Sequence, residues 1–121
     1  MSVIKTIPAG RKTKELYENG RRLVTSRWVL VFSDLEDESE GFFLAVHVGK
    51  RLGKAVERNR LRRQVREAIR VLPLDGLSLA LIVIPRLPAK GQTYQEMSRQ
   101  LSILVDRLKE KRKECSLSSA P

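Results

Sequence analysis

The chain has 121 residues, 41% of them hydrophobic, and 24 Lys and Arg against 14 Asp and Glu, for a net charge of +10. That length and apolar content suit one globular domain with a single modest core and exclude a disordered chain. Such a basic balance points to a polyanionic partner, either nucleic acid or an anionic membrane surface. Membrane is the weaker choice, because no apolar run approaches the roughly 20 residues of a spanning helix. The stretch from Met1 to Ala9 carries one Lys and no long apolar run, so a secretory signal is not expected and the cytoplasm is the expected compartment. Cys115 and His47 are the single cysteine and the single histidine, with no partner at metal-ligand spacing, so neither a disulfide nor a metal site is expected. The chain has no GxxxxGK[ST] or GxSxG pattern either, which leaves protein-based catalysis almost no chemical support.

In chain order, KTKELYEN (residues 12–19) reads as a short helix with Leu16 and Tyr17 inward and Gly20 at its C-terminal cap. RRLVTSRWVLVFS (21–33) reads as a strand, with a possible split between Gly20 and Thr25, and Trp28 and Phe32 share its core face. DLEDESE (34–40) packs five acids into seven positions and reads as a solvated connection. GFFLAVHVG is a second strand, apolar on both faces. A helix follows from about Ala55 to Leu72, stopped at Pro73. LSLALIVI is a buried strand and RLPAKGQ a loop. Thr93 and Glu96 in T-Y-Q-E form a capping-box signature for a last helix, with Met97, Leu101, Leu104, Val105 and Leu108 on one face. The expected organisation is a flexible segment at 1–11, one α/β domain at 12–112 that binds RNA, and a disordered tail at 113–121. The fold class is α/β (α+β), a two-layer sandwich on a small mixed sheet.

The stretch KRLGKAVERNRLRRQVREAIR (50–70) holds nine Lys or Arg and two acids. Leu61, Val65, Ala68, Ile69 and Leu72 form an apolar stripe at helical spacing. Arg58, Arg62, Arg66 and Arg70 recur every four residues, starting beside that stripe and drifting outward, with Asn59 and Arg63 on the same polar side. Arg60 lies on the other flank, near Glu67. Like charges at this spacing repel by about a few tenths of a kcal/mol per pair. A face built only for solubility would mix signs instead. The row makes sense where phosphates neutralise it, and seven Arg to two Lys favours forked phosphate contacts. Asn59 adds a group that donates and accepts at once. A zipper-type DNA reader needs a heptad dimer downstream, whereas Pro73 to Gly76 break the helix, so structured or single-stranded RNA suits it better.

This run closely resembles the signature of the bacterial ribonuclease P protein subunit, with Lys50, Arg51, Gly53, Ala55, Val56, Arg58, Asn59, Arg60, Arg62, Arg63, Arg66 and Ala68 in place. The resemblance extends as element order from about Lys12 to Lys111. It implies a basic helix set in an unusual left-handed strand–helix–strand crossover, against the general right-handed rule. It implies an accessory subunit of the ribonucleoprotein endonuclease that generates the mature 5′ end of tRNA. Catalysis would reside in the RNA subunit, which uses Mg2+; the protein itself would bind no cofactor. The implied partners are the catalytic RNA, one protein per RNA, and the 5′ leader of precursor tRNA, with no membrane involved.

Carried onto this sequence, the leader cleft would comprise Tyr17, Val31, His47, Arg58, Asn59, Arg62 and Arg66. The catalytic RNA would meet Lys50, Arg51, Lys54, Arg60 and Arg63. No residue is expected to be catalytic or to bind metal. The chain departs from the family pattern at Thr13 and Val31, where aromatics are usual, and at His47, where a small or hydroxyl residue is usual. Stacking on aromatics is worth about 1–3 kcal/mol per base in single-strand binders, so this cleft is expected to lean more on charge. His47 is open to two readings, a substitute stacking partner or a packed strand residue. The competing functional readings are a structural, ribosomal-type RNA binder and a metal-dependent protein nuclease. The second would need clustered His or carboxylate groups, whereas five of the 14 acids crowd into one solvated loop.

Overall fold

The computed structural model describes residues 4–6, 11–34, 41–74 and 78–118. Its elements are β1 (Ile4–Thr6), α1 (Arg11–Asn19), β2 (Arg21–Val24), β3 (Trp28–Asp34), β4 (Phe42–Val46), α2 (Ala55–Arg70), β5 (Leu79–Pro85) and α3 (Tyr94–Ser118). Short 3₁₀ turns at Lys50–Leu52 and Leu87–Ala89 lead out of β4 and β5. The strands form one mixed sheet in the order β1-β4-β5-β3-β2. β1 and β5 both run parallel to β4, whereas β3 is antiparallel to β5 and to β2. α2 is therefore the crossover that joins the parallel neighbours β4 and β5.

Side-chain alternation along the strands divides the apolar residues between two faces. Trp28, Leu30 and Phe32 of β3, Phe42, Leu44 and Val46 of β4, and Leu79, Leu81 and Val83 of β5 pack under α2 and α3. α2 contributes Leu61, Val65, Ala68 and Ile69 to this core, and α3 contributes Met97, Leu101, Leu104, Val105 and Leu108. The helical stripes and the Trp28–Phe32 face expected from periodicity are buried there, apart from Leu72, which is partly buried against the same core. Trp28 also donates from Nε1 to Oε1 of Gln100 at 2.7 Å, which ties α3 to β3. The opposite face carries Val31, Ala45 and Ile82 beneath Leu16 of α1. α1 has only nine residues and sits over part of that face.

Four local features differ from the sequence expectation. The run 21–33 is a hairpin, in which Val24 pairs with Val29 and the Thr25 N–H bonds the Trp28 carbonyl at 2.8 Å. The expected flexible segment 1–11 supplies β1, whose Ile4 pairs with Phe42 and Thr6 with Leu44, and the first residue of α1. α2 ends at Arg70, with a 3₁₀-type bond from the Leu72 N–H to the Ile69 carbonyl at 3.1 Å before Pro73. α3 continues to Ser118, so residues 113–118 of the expected disordered tail have helical backbone. Its Thr93 cap forms as expected, with Oγ1 accepting from the Glu96 N–H at 3.2 Å. Residues 35–40 of the acidic run, 75–77 of the turn after α2, and 119–121 lie outside the described residues.

Two glycines are needed where they stand. A Cβ on Gly20 would run into the Leu16 carbonyl and the Leu16 and Val31 side chains, so α1 can close tightly onto β3 only with glycine there. Gly53 has φ +125°, in the region that L side chains rarely adopt, and a Cβ would meet the Glu57 carboxylate. That glycine turns the chain from the 3₁₀ segment into α2.

Candidate nucleic-acid interface

α2 lies on one face of the sheet and α1 on the other, yet their polar residues meet at the C-terminal end of β4. The His47 N–H bonds the Val83 carbonyl of β5 at 3.0 Å. Backbone groups alternate between the two edges of a strand, so the Val46 carbonyl points toward the β1 side. Among the described residues, β1 pairs with β4 as far as Thr6, opposite Leu44, and gives that carbonyl no strand partner. Arg62 fills the position, donating from Nε to the Val46 carbonyl at 3.3 Å. Its guanidinium also donates to Oδ1 of Asn59 at 2.6 Å. The sequence raised the question of why an asparagine sits among these arginines. Asn59 fixes the arginine one turn further along and does not simply interrupt the charge.

On the α1 face, Tyr17 Oη and His47 Nδ1 are 2.5 Å apart, and the two rings stack with centroids 5.5 Å apart at 29°. Burial pushes the Tyr17 hydroxyl above its ordinary range, partly opposed by the Arg22 charge. Burial, and secondarily the Arg62 charge, lowers the His47 pKa below its usual value. His47 is therefore neutral near pH 7. Two bonded pairs, Tyr17–His47 and Asn59–Arg62, thus meet through the Val46–His47 peptide at the end of β4.

The other expected leader residues lie differently. Val31 is fully buried beneath Leu16, so it supports the floor of this region and presents no surface to a ligand. Arg58 is half-buried, and Arg66 is exposed one turn beyond Arg62. The row does drift from the packed side of α2 into solvent, ending at exposed Arg70. Arg70 pairs with Glu67 at 3.2 Å, whereas Glu67 was expected near Arg60. Arg60 instead lines an open cavity of about 320 Å³ between α2 and the entry to α3, with Gln64, Lys90 and Gln92.

Lys50, Arg51, Lys54, Arg60 and Arg63 are all exposed. Three of them gather where the 3₁₀ turn meets α2. Lys54 is the N-cap and supplies no side-chain capping bond. Cations at the positive end of a helix dipole are unfavourable, and an anionic ligand relieves that cost. Sequence reasoning missed three residues beside the α1 face. Arg22 donates to the Tyr17 carbonyl at 2.9 Å, and Lys5 of β1 stands 5.4 Å from the centre of the half-buried Phe43 ring. Period-two alternation through Phe43, Ala45 and His47 could have placed Phe43 on this face; Lys5 had no such signal.

Among the described residues, no three His, Cys, Asp or Glu side chains converge as a metal-binding group, and no helix is long and apolar enough to cross a membrane.

A small mixed sheet carrying a basic crossover helix, with polar residues gathered at the end of β4, defines an α+β protein with a strongly basic helical face. Residues 6–109 match the family model described as Ribonuclease P, and the chain belongs to that family. The ribonuclease P protein component of Carboxydothermus hydrogenoformans is 30% identical over 110 residues, covering 90% of this chain and 95% of the relative. That of Macrococcus caseolyticus is 34% identical over 88 residues, covering 73% of this chain and 76% of the relative. Among solved structures, the Staphylococcus aureus RNase P protein superposes with TM-score 0.76 at 28% identity, over 86% of this chain and 94% of that one. The Thermotoga maritima RNase P protein shares the fold with TM-score 0.74 at 24% identity, over 85% and 96%.

Proposed function

We propose that this chain is the accessory protein subunit of a ribonuclease P. In this reading it binds the catalytic RNA and the 5′ leader of precursor tRNA, and assists an RNA-catalysed, Mg2+-dependent hydrolysis that frees the mature 5′ end. The observation that carries the reading is the edge cluster, in which Asn59 holds Arg62 across the end of β4 toward Tyr17 and His47. That cluster combines a fixed guanidinium for phosphate, a stacked ring pair for a base and an exposed arginine, Arg66, along the same helix. These are the components a single strand needs.

The cations at the start of α2, with Arg60 and Arg63, are assigned to the catalytic RNA. The magnesium is assigned to the RNA as well. The test is cleavage of precursor tRNA at low magnesium by a bacterial ribonuclease P RNA, with and without this protein. Correct 5′ cleavage is expected only with both present, and none from the protein alone. RNA binding without rescue by several RNA subunits would favour a structural RNA binder.

A further inference from the structure

His47 is the only histidine in the chain, and its position suits it to more than packing. It follows the last residue of β4 on the α1 face, half-buried, its ring stacked on Tyr17 and its Nδ1 bonded to the Tyr17 hydroxyl. An imidazole nitrogen is a better acceptor than a phenol oxygen, so Tyr17 donates and the remaining proton sits on Nε2, a tautomer assigned from this partner. Among the described residues, the charged or titratable groups that bear on the ring are Tyr17 from α1 and Arg62 from α2. From the sheet, Val46, Val48 and Val83 beside it are uncharged.

We propose that His47 is a phosphate ligand that acquires its charge on binding, taking up one proton when a single-stranded RNA phosphodiester enters the cleft beside Arg62. This rests on the leader-binding reading and adds a residue-level role to it. In the free protein a second cation beside Arg62 is unfavourable, and burial adds to that, which keeps the ring neutral. A phosphodiester offsets the Arg62 charge and attracts an imidazolium directly, so the balance reverses. The proton comes from solvent and settles on Nδ1. The Nδ1–H then donates to the Tyr17 oxygen, while the phenol proton rotates away. Tyr17 can reverse its role in this way because burial holds its own hydroxyl protonated. The pair therefore stays joined through the change of charge.

The single histidine makes the test unambiguous. The ring Cε1–H signal of the full chain would be titrated by NMR, free and with a short oligouridylate, whose bases do not ionise in this range. Affinity for the same oligonucleotide would be measured between pH 8 and pH 5.5. The midpoint of His47 is expected to rise on binding, and affinity to increase on acidification toward a limit of about tenfold per pH unit of that rise. His47→Gln, with its fold checked by circular dichroism, should show no such increase in affinity between pH 8 and pH 5.5. An unmoved or lowered midpoint in the complex overturns the inference. If the oligonucleotide fails to bind, or binds independently of Arg62, the leader-cleft reading itself is wrong. Arg62-dependent binding with an unmoved His47 removes only the proton-coupled role.

Discussion

Asn59 Oδ1 accepts a hydrogen bond of 2.6 Å from the Arg62 guanidinium, whose Nε also reaches the Val46 carbonyl at the sheet edge. Two bonds from different elements hold a long side chain that would otherwise sample many rotamers. In the proposed leader site, Asn59 therefore acts largely through Arg62. Asn59→Ala should weaken binding of a leader-length single strand by about 2–10-fold, the range of a modest net hydrogen bond. In an Arg62→Ala background the same change should cost much less, and a double-mutant cycle reads that coupling directly. Additive losses would mean that Asn59 contacts the RNA independently.

Removing phosphate contacts has a separate signature in salt. Arg62→Ala and Arg66→Ala should each weaken binding across leader sequences and flatten the log–log salt dependence by about 0.7 per lost single-strand contact. Titrations of affinity against salt check this, and an unchanged slope would place that arginine outside the RNA path.

The positions of Arg62 and Arg66 on the polar side of α2 were legible in the sequence because helical periodicity fixes which positions oppose Leu61, Val65 and Ile69. The bond from Arg62 to Val46 was not visible. It depends on the register of β1 against β4, which brings Thr6 opposite Leu44, and Ile-Lys-Thr acquires meaning as a strand only against β4. The hairpin turn was hidden for a related reason. Thr25 to Trp28 contain no Gly, Pro or Asn; the turn is held by Thr25 Oγ1, which accepts from the Trp28 N–H at 3.0 Å, and by Arg86, which bonds the Thr25 carbonyl at 3.0 Å. The usual aromatic position at Val31 is likewise understood only in the fold, where α1 closes over it through Gly20.

Stability of the free protein should carry a histidine component with a defined sign. The folded state lowers the His47 pKa below 6.5, so the unfolded chain binds more protons in that window. The contribution is fully present above about pH 6.5 and is lost as pH falls from there through the folded value. Urea unfolding at pH 7.5 and pH 5.5 should show wild type losing stability on acidification, and His47→Gln losing less. Equal losses in both proteins would show that His47 is not the titrating group.

The buried stripe of α2 predicts graded costs of truncation. Ile69 is fully buried, whereas Leu61 is 9% exposed and borders the open cavity near Arg60. Both Ala variants should fall within about 2–5 kcal/mol, with Leu61→Ala toward the lower end because its site is already open on one side. Denaturant melts give the ranking, and a larger loss at Leu61 would contradict this packing.

The most direct measurement compares two substrates of the reconstituted holoenzyme: precursor tRNA with its 5′ leader, and the same tRNA without it. Wild-type protein should confer tighter binding on the leader-bearing substrate. Arg62→Ala should lose most of that preference while binding the leaderless tRNA as wild type does. A leader preference that persists in Arg62→Ala, or that the RNA subunit shows without the protein, would contradict a leader site built on Tyr17, His47, Asn59 and Arg62.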